Sequence, residues 1–93
     1  MSTGLDASLT GVKDKVVVWG NEGCTQCELT EMRLRANGFQ PARGFMDDLH
    51  MEPPILRNEI MVAYSLQGSL PVVQVNNMAL PTEDAYSVLG IYK

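Results

Sequence analysis

Ninety-three residues, 45% hydrophobic and 19% charged, make one small globular domain. A chain of this size buries roughly two-thirds of the surface it exposes when unfolded, so a single modest core is all it can build. The formal charge of −4 comes without a Lys/Arg cluster, which excludes a protein that tracks a phosphate backbone, and no nucleic-acid partner is expected. No apolar run approaches the ~20 residues that span a bilayer, and the start of the chain carries neither a basic stretch nor a continuous apolar one. The expectation is a cytoplasmic protein with no membrane partner.

Residues 1–14 are rich in Ser, Thr, Gly and Asp and read as a loose leader to a domain over 15–93. Lys15 to Trp19 is a run of β-branched residues, as in a strand buried on both faces. A turn, Gly20-Asn21-Glu22-Gly23, leads to a helical pattern that starts at Cys24. It carries Cys27, Leu34 and Ala36 with Leu29 and Met32 beside them, and it stops at Asn37-Gly38. Phe39 to Met46 is a weaker strand, suited to a sheet edge because Pro41 removes a ladder donor and Gly44 softens it; Asp47-Asp48 closes it.

Pro53-Pro54 opens a second helix. Ile55, Leu56, Ile60, Met61, Ala63 and Tyr64 give it a broad apolar face, and Gly68 ends it. Leu70 to Val75 is the next strand, Asn76-Asn77 a tight hairpin, and Met78 to Leu80 the returning strand. Thr82 reads as the N-cap of a last helix, with Glu83 and Asp84 in its first turn and Ala85, Val88 and Leu89 on its buried face. The order is β-α-β-α-β-β-α, one α/β domain.

Both cysteines of the chain stand in Cys24-Thr25-Gln26-Cys27, at a strand-to-helix junction. Two thiols three residues apart fall on one helix face and can close into a disulfide, and in a reducing compartment a lone disulfide is a working part, not a staple. The attacking species in exchange is the thiolate. Cys24, at the helix start, faces free N–H groups and the positive end of the helix dipole, which favour an anion. Glu22 and Glu28 oppose it, so Cys24 is expected to ionise below the ordinary thiol range, though only modestly. Cys27, one turn in, is expected to be buried and to resolve the mixed disulfide. Trp19 is expected beneath the site, with fluorescence that changes on oxidation.

The ordered set resembles the glutaredoxin branch of the thioredoxin fold over about Lys15 to Leu89. Within that branch it resembles the glutaredoxin-like hydrogen donors of ribonucleotide reductase. The residues that carry the resemblance are Cys24-Thr25-Gln26-Cys27 with Thr30, Gly38-Phe39 after the helix, and Gln67-Gly68 followed by Leu70-Pro71-Val72-Val73. It implies a four-stranded mixed sheet and a dithiol–disulfide oxidoreductase, monomeric and without a bound cofactor or metal. Its electrons would come from NADPH through thioredoxin reductase, or from glutathione. The substrate so implied is a protein disulfide, that of ribonucleotide reductase among the candidates.

The resemblance also implies a cis Pro71 that sets the Leu70 backbone beside Cys24, so that an extended substrate pairs there as an added strand. Gly23, Thr25 and Gln26 would line the contact. Thr82 and Glu83 match a polar pair that contacts glutathione in glutaredoxins. The chain departs from the family at Asn76-Asn77, read as the counterpart of the Gly-Gly pair that lets glutathione approach the backbone. It departs again at Met78-Ala79-Leu80-Pro81-Thr82, which replaces the donors' Trp-Ser-Gly-Phe segment.

Other readings of the cysteines stay open on sequence. They could be two small residues buried side by side. A zinc site needs four ligands where one chain offers two thiols and His50, so it requires a dimer or external thiols. A non-catalytic adaptor and a metal or iron–sulfur carrier complete the set. His50, in an acidic proline-flanked loop, is read as solvated, and the methionines, Met32 and Met61 included, as core filler.

Overall fold

A computed structural model describes residues 14–91; the leader expected over 1–14 lies outside the described residues except for Asp14. The strands are β1 (Val16–Gly20), β2 (Ala42–Phe45), β3 (Val72–Val75) and β4 (Met78–Pro81). The helices are α1 (Thr25–Ala36), α2 (Pro54–Gln67) and α3 (Thr82–Leu89), with a 3-10 turn over Met46–Met51. The sheet order is β2-β1-β3-β4. β1 runs parallel to β2 and antiparallel to β3, and β4 is antiparallel to β3. This is an α/β thioredoxin-like fold, with the mixed four-stranded sheet expected from the sequence.

β1 has a neighbour on each side and is buried along its whole length, which is why it reads as an unbroken apolar run, Val16-Val17-Val18-Trp19. Its alternation builds two cores. Val16 and Val18, with Val73 and Val75 of β3, meet Cys27 and Leu34 of α1 and Ala85 and Tyr86 of α3. Val17 and Trp19, with Val72 and Ala79, meet Ile60 and Ala63 of α2 and Leu49 of the 3-10 turn. Leu34 and Ile60, both fully buried, anchor one face each, at ~1.5–3 kcal/mol apiece for the burial.

Strand and helix ends follow the local chemistry. β2 is an edge strand, as Pro41 and Gly44 suggest, but it starts only after the proline. Gly44 is needed for a second reason: a Cβ there would come within 2.6 Å of the Trp19 ring. Gly38, Gly68 and Gly90 each take positive φ just past a helix, the left-handed stop that a side chain resists. Asn76 at φ 58 makes the two-residue β3–β4 hairpin, and it also bonds the Lys15 N–H through Oδ1 at 3.0 Å.

Several apolar expectations fail because neighbouring elements cover less than the sequence suggests. On α2, Ile60 and Ala63 are buried and Leu56 is half-buried, but Ile55, Met61 and Tyr64 are exposed; the expected broad face is a narrow stripe. Met32 is likewise exposed, so neither it nor Met61 fills a core, and Ala36 also faces out. On α3 the inward face is Ala85, Tyr86 and half-buried Leu89, while Val88 points out. β3 begins at Val72, after the Leu70-Pro71 lead-in. Pro81, not Thr82, occupies the cap position of α3, and Thr82 is its first helical residue.

One buried polar pair crosses the α2 face: Trp19 Nε1–H donates to Gln74 Oε1 at 2.9 Å. Gln74→Leu leaves that N–H without an acceptor and is expected to cost ~1–3 kcal/mol in urea unfolding. Val88→Ala, on the exposed side of α3, should stay within ~0.5 kcal/mol of the parent.

Candidate functional site

Cys24 and Cys27 are joined in a disulfide with their Cα atoms 5.2 Å apart. Cys24 is the N-cap of α1 rather than its first residue; its extended backbone turns the chain out of β1, and its Sγ accepts the Cys27 N–H at 3.1 Å. The cap oxygen used by most helices is here replaced by sulfur, so the atom that would attack a disulfide already receives one of the free N–H groups of the helix end. Cys24 is half-buried and Cys27 is 0% exposed. Cys24 is thus partly open to the outside and Cys27 is not.

The position of Cys27 is set by Gly20. A Cβ on Gly20 would overlap the Cys27 sulfur, so the last residue of β1 must lack a side chain for α1 to approach this closely. The inward stripe of α1 is Cys27, Thr30, Glu31 and Leu34, the i, i+3, i+4, i+7 spacing of one helix face, and it contains a carboxylate. Thr30 Oγ1–H donates to Gln26 O at 2.9 Å, which satisfies a hydroxyl that would otherwise be buried unpaired. Glu31, 8% exposed, is held by Arg43 Nη1 at 3.0 Å and Arg35 Nη2 at 3.2 Å. Arg43 Nη2 also donates to Asn21 O at 2.8 Å, so β2 reaches the loop just ahead of Cys24.

A shallow groove of about 620 Å³ runs from Gln26, Leu29 and Thr30 on α1 to Leu70, Pro71, Thr82 and Glu83. The Leu70-Pro71 bond is cis, as the resemblance implies. Of the residues proposed from sequence, Gln26, Leu70, Pro71, Thr82 and Glu83 share this groove; Gly23 and Thr25 are exposed beside Cys24 but do not wall it. Thr82 does not cap α3 with its side chain; its Oγ1–H donates to Pro71 O at 2.8 Å. Gln67 was not singled out by sequence as a site residue in its own right, yet it braces the groove. Its Nε2 donates to Ser69 O and Pro71 O, at 2.8 and 2.6 Å, and its Oε1 accepts the Thr82 N–H at 2.6 Å.

Two expectations are corrected by the topology. β3 pairs Val72 with Trp19 and Val75 with Val16, so the Asn76-Asn77 hairpin lies at the end of the sheet away from Cys24. After β4 the chain passes the groove at Thr82 and Glu83. Trp19 packs on the α2 face with Ile60 and Ala63, whereas Cys27 packs on the α1/α3 face. The sheet lies between the indole and the buried sulfur, and no large change in Trp fluorescence on oxidation is expected. His50 is exposed in the 3-10 turn with Nδ1 3.1 Å from Asp47 O, well outside the groove lining. Among the described residues no group of three or more His, Cys, Asp and Glu is placed to hold a metal ion, and no helix is long and apolar enough to cross a membrane.

No protein-family profile matches the chain, and neither does any curated protein. Among solved structures it is similar to a glutaredoxin from Archaeoglobus fulgidus, at 20% identity and a TM-score of 0.45, over 82% of this chain and 86% of that one.

Gly20→Ala tests the close approach directly. The added methyl must displace the Cys27 sulfur or shift α1, and the oxidised protein is expected to lose ~1–3 kcal/mol in chemical denaturation. Equal stability of the two proteins would show that α1 can move without cost.

Proposed function

We propose that this protein is a dithiol–disulfide oxidoreductase that carries two electrons to a protein disulfide. The observation that carries the reading is the asymmetry of the Cys24–Cys27 pair: a reachable sulfur at the helix cap, a buried one behind it, and a groove with Leu70-Pro71 and Gln26 in its walls. Cys24 thiolate attacks a substrate disulfide, one substrate sulfur leaves as thiolate, and Cys27 then displaces the other to close the Cys24–Cys27 bond. Gly23, Thr25 and Gln26 frame the approach to Cys24, and an extended substrate segment pairs along Leu70. The disulfide of ribonucleotide reductase is the substrate suggested by the sequence resemblance. A monomer in a reducing, cytoplasmic setting is part of this reading.

The electron donor in this reading is a flavoprotein of the thioredoxin reductase kind, fed by NADPH. What supports it over glutathione is the chemistry at the β4–α3 junction. Pro81 has no N–H, and the Thr82 N–H is already bonded to Gln67 Oε1. The first donors at this helix end are therefore absent or occupied, and Glu83 and Asp84 place two carboxylates where a glutathione carboxylate would bind.

Cys24→Ser is expected to abolish reduction of insulin disulfides, while Cys27→Ser should accumulate a mixed disulfide with the substrate, visible as a mass increase. Turnover with NADPH and thioredoxin reductase, but not with glutathione and glutathione reductase, is the expected donor pattern. The reverse pattern would overturn the donor assignment. Wild-type turnover with neither donor, together with a partner retained by Cys24→Ser, would move the reading to a non-catalytic adaptor. In alkylation of the reduced protein, Cys24 should stay reactive below the ordinary thiol range and lose reactivity as pH falls further, because only the thiolate reacts.

A further inference from the structure

Resolution by Cys27 requires a thiolate at a site with 0% exposure, and burial disfavours the charged form. The neighbours from β1, β3 and α3 offer little to offset this: Val16, Val18, Val73, Val75 and Ala85 are apolar, and Tyr86 is neutral. The charge comes from elsewhere. Arg43, on β2, reaches over Gly20, and its Nη2 stands 3.8 Å from the point where a Gly20 Cβ would be, a point the Cys27 sulfur already fills. The guanidinium is therefore within about 6 Å of the sulfur, inside the range over which an opposite charge favours an ion. Its Nε–H is buried and has no hydrogen-bond partner among the described residues. The other charged groups around this core are Glu31 on α1, which pairs with both Arg43 and Arg35, Arg33 over the Tyr86 ring, and the exposed Glu28 and Glu22. Two guanidiniums on one carboxylate leave the Glu31 cluster with one positive charge in excess.

We propose that Arg43 is the positioning residue of the resolving step, its guanidinium favouring the Cys27 thiolate as that sulfur displaces the substrate from Cys24. The inference rests on the dithiol reading above. In the step, a Cys27–Cys24 bond forms, the Cys24–substrate bond breaks, and the electron pair leaves on the substrate thiolate; the Cys27 proton passes to solvent. Asn21 O and Glu31 fix the guanidinium from two sides, and neither bond involves a cysteine.

The fully reduced protein is mixed with dithionitrobenzoate and the release of thionitrobenzoate is followed against pH. The first equivalent reports attack by Cys24, and the second reports displacement by Cys27. For Arg43→Met the pH midpoint of the second phase is expected to rise by about one unit, with a roughly tenfold slower second phase near neutrality, as a unit charge removed from ~6 Å implies. The first phase should move much less. Arg43→Lys should recover at least half of the shift, and Glu31→Gln should move the midpoint down. A merely structural Arg43 would lower thermal stability and slow both phases without moving the second midpoint. An unmoved midpoint in R43M, or in E31Q should R43M fail to fold, overturns the role of Arg43 and leaves the dithiol reading standing. Release of only one equivalent by the wild-type protein overturns the dithiol reading itself.

Discussion

The contact on which the site depends is that between the Cys27 sulfur and Gly20. A glycine at the end of the central strand lets the first turn of α1 settle against the sheet, and the sulfur fills the space that a side chain would take. Cys24 is then held at the cap, Gly23 turns the loop at φ 71, and Arg43 finds a path across the strand to Asn21 O. The disulfide is a consequence of this packing more than its cause. Closing a loop as short as Cys-x-x-Cys is worth only about 2 kcal/mol in chain entropy. Full burial of Leu34, Ile60, Val18, Val72 and Val73 contributes ~1.5–3 kcal/mol for each larger side chain. A fold that rests on those contacts keeps its sulfurs in place when the bond between them opens, as a reusable redox centre requires.

The same packing makes the two sulfurs unequal. Cys24 receives the Cys27 N–H and the end of the helix dipole, while the exposed Glu22 and Glu28 weigh against its anion through solvent, where each charge is worth little. Cys27 has no solvent, and its environment is decided by what the sheet brings across Gly20. An ion pair this close to the core is weak evidence for stability, because desolvating Glu31 and Arg43 costs much of what their attraction returns. A guanidinium tied to a loop carbonyl and a helix carboxylate is better understood through where it puts its charge.

Much of this was legible in the sequence. The unbroken apolar run of Val16 to Trp19 marks a central strand, Gly38 and Gly68 mark helix ends, Asn76-Asn77 marks the hairpin, and Cys24 to Cys27 marks the site. What was missed is mostly polar and long-range. Glu31 and Arg43 look like ordinary surface charges because they lie 12 residues apart on different elements. The i, i+3, i+4, i+7 spacing of Cys27, Thr30, Glu31 and Leu34 was the available signal that Glu31 faces inward. The buried bond of Gln74 to Trp19 is equally hidden in the sequence, because it is set by the register of β3 on β1. Asn76-Asn77 was assigned to the wrong end of the sheet because the order of elements does not say which turn lies beside α1. The apolar residues on the outer sides of α2 and α3 were assigned to the core because hydrophobicity shows what can be buried, and only the number of packed neighbours decides what is.

The groove has its own constraint in Gln67. One side chain joins the end of α2 to the Ser69 and Pro71 carbonyls and to the first N–H of α3, and Thr82 returns a second bond to Pro71 O. Three hydrogen bonds converge on a stretch that belongs to no strand or helix, and a fourth ties Gln67 to the start of α3. The order of that stretch is therefore established during folding, and a substrate strand docking along Leu70 would meet a backbone already in place, without the loop-ordering cost that weakens association with mobile segments. The same bonds occupy the Thr82 N–H and hydroxyl. Gln67 thus holds the end of α2, the Leu70-Pro71 stretch and the start of α3 together.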